Sequence, residues 1–139
     1  MIKYLTFHML FFLVLKEFLK IDIINLHYLT FIVFIGGCYI TFIKKFLVIK
    51  TCIISFELQN RYLVLANILV HILPFIYIYQ KYEFTKDNIY LSICYLILYI
   101  IVLTPYKNHL KNEYYITEKT ETLQILSIIS ICTIFFLIQ

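Results

Sequence analysis

The chain has 139 residues, 63% of them hydrophobic and 14% charged, with a mean hydropathy of +0.89. A soluble domain averages about 45–50% apolar and about 25% charged residues, so this chain lacks the polar side chains needed to coat a water-facing surface. The formal net charge of +4 arises from twelve basic residues spread thinly between apolar runs, with Lys44-Lys45 the one doublet; that pattern marks membrane topology and argues against a nucleic-acid partner.

Two Gly and two Pro leave little punctuation for loops, so most residues must lie in long regular elements. The preference for Ile, Leu, Phe, Tyr, Lys and Asn over Gly, Ala, Pro and Arg points to an A/T-rich coding genome. Cys38, Cys52, Cys94 and Cys132 are isolated in sequence and form neither a disulfide framework nor a zinc pattern.

A bilayer core about 30 Å thick takes about 20 mainly apolar residues in a helix rising about 1.5 Å per residue. On that rule the chain is expected to be an all-α integral membrane protein with about five transmembrane helices, four being the fallback. The first span, 4–19, is uninterrupted only as far as Leu15; Lys16 and Lys20 can snorkel toward headgroups. A secretory signal is the competing reading, but no small-x-small pair follows Leu15, so an uncleaved anchor is expected.

The second span, 23–43, is flanked by Asp22 and Lys44-Lys45. Gly36 and Gly37 lie in its middle, with Thr41 four residues after Gly37. That small-xxx-small spacing lets helices approach closely, which makes Gly36, Gly37 and Thr41 the expected packing residues. Segment 44–61 is too short to cross; Lys50, Glu57 and Arg61 recur at i, i+7 and i+11. A cytoplasm-side helix lying in the interface or extending the neighbouring span is expected there, with a plain connecting loop as the alternative.

The third span, 62–79, carries Asn67, His71 and Pro74 at i, i+4 and i+7, on one helical face. Pro74 has no N–H to give the carbonyl of Val70, so the helix should deviate next to His71. These three residues form the candidate intramembrane polar site: a ligand or proton site on the sharp reading, interhelical hydrogen-bonding groups on the plain one.

The fourth span, 89–106, has Ser92, Tyr95 and Tyr99 on one stripe. The polar loop 107–122 interleaves Lys, Glu and Tyr and is expected to be a solvated connector; any soluble partner is expected to dock there. The last span, 123–138, repeats Ser127, Ser130 and Thr133 every third residue, a stripe expected to face other helices.

Five spans place eight basic residues (Lys3, Lys44, Lys45, Lys50, Arg61, Lys107, Lys111, Lys119) on one side and four (Lys16, Lys20, Lys81, Lys86) on the other. The positive-inside rule then puts the N-terminus in the cytoplasm. No Asp, Glu, Lys or Arg lies in the middle of the three spans 23–43, 62–79 and 89–106, which disfavours an ion-coupled transporter. No nucleophile motif or phosphate loop is present, and His8 with His71 makes no convincing haem pair; no cofactor, metal or catalytic residue is expected, and a membrane enzyme is a third reading that would need a group at a span end, such as Asp22, Glu57, Asp87 or His109. The leading expectation is a structural or assembly subunit of a membrane complex, or of a viral or organelle membrane, with the lipid bilayer and other membrane subunits or itself as partners. The alternative is a small transporter or channel using the polar face of the third span.

Overall fold

The computed structural model describes residues 5–44, 46–50, 55–103 and 119–139. Among them are five helical rods and one two-stranded β-hairpin. The first rod is α1 (Leu5–Val14), continued by a wide π-helical turn at Leu15–Leu19; the second is α2 (Leu26–Cys38), continued by a π stretch at Tyr39–Lys44. The third comprises α3 (Asn60–Asn67), a π turn (Ile68–Ile72) and α4 (Leu73–Lys81). The fourth is α5 (Ile89–Leu103) and the fifth α6 (Lys119–Ile138).

The segment expected to be an interfacial helix or plain loop is instead a hairpin. Strand β1 (Phe46–Lys50) pairs antiparallel with β2 (Ser55–Gln59), Phe46 opposite Gln59 and Lys50 opposite Ser55. The i, i+7, i+11 spacing of Lys50, Glu57 and Arg61 is therefore not realised on one helix face. A physical reason is visible in the residues: Val48 and Ile49 of β1 are β-branched, and such side chains are better accommodated on a pleated strand than in a helix. Of the polar loop 107–122, residues 107–118 lie outside the described residues, and 119–122 form the first turn of α6.

The rods alternate in direction, as side-chain contacts along them show. Thr6 meets His71 while Glu17 meets Lys81, so the first and third rods run parallel. Gly37 lies against His71 whereas His27 meets Tyr79 and Tyr82, so α2 runs against the third rod. Asn25 meets Ser92 at the start of α5, and Tyr28 meets Thr133 near the end of α6. One end of the bundle thus collects the end of the first rod, the start of α2, the end of α4, the start of α5 and the end of α6.

Helix α2 is apolar nearly all round and occupies the centre, touching each of the other rods. A helix without a polar face belongs in an interior, and this one buries Leu26, His27, Tyr28, Leu29, Thr30, Ile32, Val33 and Gly37. Tyr28 and Ile32 pack with Ile89, Leu96, Cys132 and Phe136 of α5 and α6; Leu29 and Val33 pack with Met9 and Ile24 on the side of α1. Phe34 stacks on Phe75 with ring centroids 4.7 Å apart, joining α2 to α4.

The shared end is tied by hydrogen bonds. Asn25 caps α2, accepting from the Tyr28 N–H at 3.0 Å, and its amide donates to the carbonyls of Thr85 and Asp87 at 2.8 and 2.9 Å. The Asn25 N–H donates to Ser92 Oγ at 2.7 Å, and Ser92 Oγ donates to the Asn88 carbonyl. Asn88 takes the left-handed conformation (φ 58°), which Asn tolerates better than most residues, and opens α5 through the Ser92 N–H. Closer to solvent, Lys81 and Tyr82 both donate to the Glu17 carboxylate and Lys16 pairs with Asp22 at 2.7 Å. Burial, followed by the hydrogen bond to Glu17, holds the Tyr82 phenol above its ordinary pKa.

Among the described residues one helix, Arg61–Lys81, is long and apolar enough to cross a membrane; Leu26–Cys38, Ile89–Val102 and Leu123–Ile138 are shorter apolar helices.

Candidate functional site

The third rod departs from α-helical geometry in its middle, and Pro74 is the evident cause. Pro74, the second residue of α4, cannot donate to the carbonyl four residues back, and its ring crowds that carbonyl. The backbone widens ahead of it, so that the Leu73 N–H bonds to the Ile68 carbonyl, five residues back. His71 lies within this wide turn and Asn67 at its threshold, and Pro74 is buried.

Both side chains face α2 at one glycine. A Cβ on Gly37 would fall 2.4 Å from Asn67 Oδ1, 2.6 Å from His71 Cγ and 2.7 Å from His71 Nδ1. No real Cβ tolerates such distances, so only glycine permits this crossing. The packing residue and the polar face, far apart in sequence, are therefore two sides of one contact. Gly36 behaves differently: it is exposed, and a Cβ there would meet nothing within 4 Å. The close approach belongs to Gly37 alone, because the adjacent residue on a helix points about 100° away.

Around Gly37 the cluster is polar, uncharged and incompletely hydrogen-bonded. His71 Nε2 lies 3.0 Å from Thr6 Oγ1 on α1. Asn67 is 3% exposed and Thr41, one turn beyond Gly37, is 6% exposed. Asn67 Oδ1, His71 Nδ1 and Thr41 Oγ1 are buried with no partner among the described residues. A buried polar atom left unpaired costs about 1–3 kcal/mol, so three in one place stand out in a molecule whose other buried side-chain polar atoms are satisfied among the described residues. Without a carboxylate or ammonium, this set can exchange hydrogen bonds with a small neutral guest or relay a proton through the imidazole; it has no fixed charge to pair with an ion.

His8 belongs to a different contact. Two residues after Thr6 it points to another face of α1, where its ring hydrogen-bonds Tyr95 and meets Tyr99 edge-on at 5.3 Å. Together with Ser92 on Asn25, these contacts turn the Ser92, Tyr95 and Tyr99 stripe of α5 inward. The stripe on α6 divides: Ser127 and Ser130 are exposed and donate to carbonyls of their own helix at 2.8 Å, and only Thr133 reaches another rod, at Tyr28. Seryl groups in a helix can satisfy themselves in this way, so their spacing alone does not fix the face that packs.

Sequence reasoning missed Thr6 and Asn25. Thr6 carries no local signal, because its role depends on which rods become neighbours. Asn25 does carry one, an Asn preceding an apolar run, which marks a helix N-cap. Comparison of the chain with protein-family models, with curated proteins and with solved structures finds no match.

Proposed function

We propose that this chain is a multi-pass integral membrane protein serving as a structural or assembly subunit, with lipid and other membrane-embedded helices, or further copies of itself, as its partners. The observation that carries this reading is the exterior of the rods. Phe7, Phe11, Leu65, Leu69, Leu98, Ile101, Ile131 and Ile134 are exposed large apolar residues drawn from four different rods. In the Arg61–Lys81 helix only 22% of the most apolar window is buried, which is the reverse of a core helix in a water-soluble protein. Hydrogen-bonded polar groups gather at one end, where headgroups and water would meet them. The shorter apolar stretches of α2, α5 and α6 are extended by Tyr39–Lys44, by the shared-end loops and by Lys119–Thr122 respectively.

Purification in mild detergent tests the assignment. A co-purifying membrane protein or a defined homo-oligomer is expected, and a monodisperse monomer with no associated protein would count against it.

A second reading, a small transporter or channel using the Asn67, His71 and Pro74 face, is favoured by the three unpaired atoms beside Gly37. It stands second because Gly37 is packed directly on Asn67 and His71, so a path there would require the rods to separate. His71→Ala should abolish flux in reconstituted vesicles if that reading holds, with insertion and folding preserved. Misassembly of the variant without any wild-type flux would favour the structural one.

A further inference from the structure

Helices α5 and α6 flank an open cleft of about 330 Å³ on the outside of the bundle. Its walls are branched aliphatic: Ile93, Ile97 and Ile100 from α5, Leu126, Ile129 and Ile134 from α6. Its floor is Tyr28 of the central helix, whose hydroxyl is already engaged by Thr133 Oγ1 at 2.8 Å. A floor that asks for no hydrogen bond suits an apolar guest. The volume is near the lower end of the range for small-molecule sites, about 300–1,000 Å³, and suits one slender chain better than a helix about 10 Å across.

The residues at the shared end of this cleft say what the rest of the guest is. Tyr90 lies one turn before Ile93 and Ile97 on the same face of α5 (i, i+3, i+7) and is 74% exposed. Lys86 precedes α5 and reaches across to the last turn of α6, its Nζ 3.4 Å from the Leu137 carbonyl. An ammonium and a phenol thus both lie at the polar end of α5 and α6, the end toward which the cleft runs. Because the antiparallel rods put Ile93 with Ile134 at that end and Ile100 with Leu126 away from it, the cleft runs from the charged end toward the middle of the bundle.

We propose that this cleft is a phospholipid site: an acyl chain lies between α5 and α6, and Lys86 and Tyr90 hold the phosphate of an anionic headgroup. The proposal rests on the membrane reading above. A cation at headgroup level attracts an anionic lipid by about 1 kcal/mol, about a fivefold preference.

The test is native mass spectrometry of the delipidated full chain in mild detergent, titrated with phosphatidylglycerol or with phosphatidylcholine of the same acyl chains. One phosphatidylglycerol should be retained per chain, in preference to phosphatidylcholine. Lys86→Glu should weaken that retention about fivefold or more. Ile97→Trp, at a position already half exposed, should fill the cleft and remove binding of both lipids while the melting temperature holds. Equal retention by wild type and both variants, or a dimer in place of a lipid adduct, would overturn the proposal. Alkaline carbonate extraction separates the two levels. Release from membranes would refute the membrane reading and the cleft with it, whereas a chain that stays in membranes yet retains no phosphatidylglycerol would refute the cleft alone.

Discussion

The two buried asparagines of this bundle are in opposite situations. Asn25, at the shared end, uses its side chain as a helix cap and as a double donor to the 82–88 connection, and its own N–H is taken by Ser92. Asn67, midway along the third rod, is as deeply buried but leaves its carbonyl oxygen unpaired, beside an unpaired nitrogen of His71. A polar group that is fully satisfied stabilises and orients; one that is buried and unsatisfied costs stability, and its presence suggests a role other than stability. The end of the bundle therefore reads as construction and its middle as the place where function would be sought.

The largest expected effect breaks the first half of that comparison. Asn25→Ala removes a cap and strands the Thr85 and Asp87 carbonyls and the Tyr28 N–H, so unfolding in detergent should show a loss of about 3 kcal/mol. A variant that melts like the wild type would mean that the knot does not hold the rods together.

Next in size is the contrast between adjacent glycines. Gly37→Ala drives a methyl into Asn67 and His71 and should cost about 1–3 kcal/mol, whereas Gly36→Ala meets open space and should be neutral or stabilising by up to about 1 kcal/mol. Equal effects at the two positions would show that α2 crosses the third rod elsewhere.

Asn67→Leu sharpens the second half. The swap keeps the branching at Cγ and deletes an unpaired acceptor, so the melting temperature should stay close to that of the wild type. A loss as large as that of Asn25→Ala would place Asn67 among the structural groups after all.

The smallest effect belongs to Tyr82→Phe, which removes the phenol's bond to Glu17. Since the Tyr82 pKa is raised in the folded state, its contribution is complete below the unfolded tyrosine's pKa and fades as pH climbs through the folded one. Wild type should thus melt slightly above the variant at neutral pH, with the margin closing in strong alkali; a margin that grows with alkali would contradict the assignment.

Much of this architecture was legible in the chain. The five apolar runs correspond to the five rods because charge and turn residues interrupt a helix-long apolar stretch visibly, as Asp22, Arg61, Lys81 and Asp87 do here. Asn67, His71 and Gly37 could each be singled out as polar or small groups in apolar surroundings. That they meet at one contact could not, since it depends on how the second and third rods are placed against each other. The strand pair Phe46–Lys50 and Ser55–Gln59 is not legible, because charged residues at helical spacing outweigh the β-branched Val48 and Ile49. Nor does a pair of adjacent glycines reveal which of Gly36 and Gly37 faces the neighbour.

The central claim is that five alternating rods cross a membrane, and the most direct measurement is the location of the two termini. With a tag at each end and protease added to sealed membrane vesicles, the account predicts that one tag is protected and the other cleaved, the N-terminal tag being the cytoplasmic one. Both tags on the same side would contradict it, because an even number of crossings cannot be reconciled with rods that begin at one end of the bundle and finish at the other.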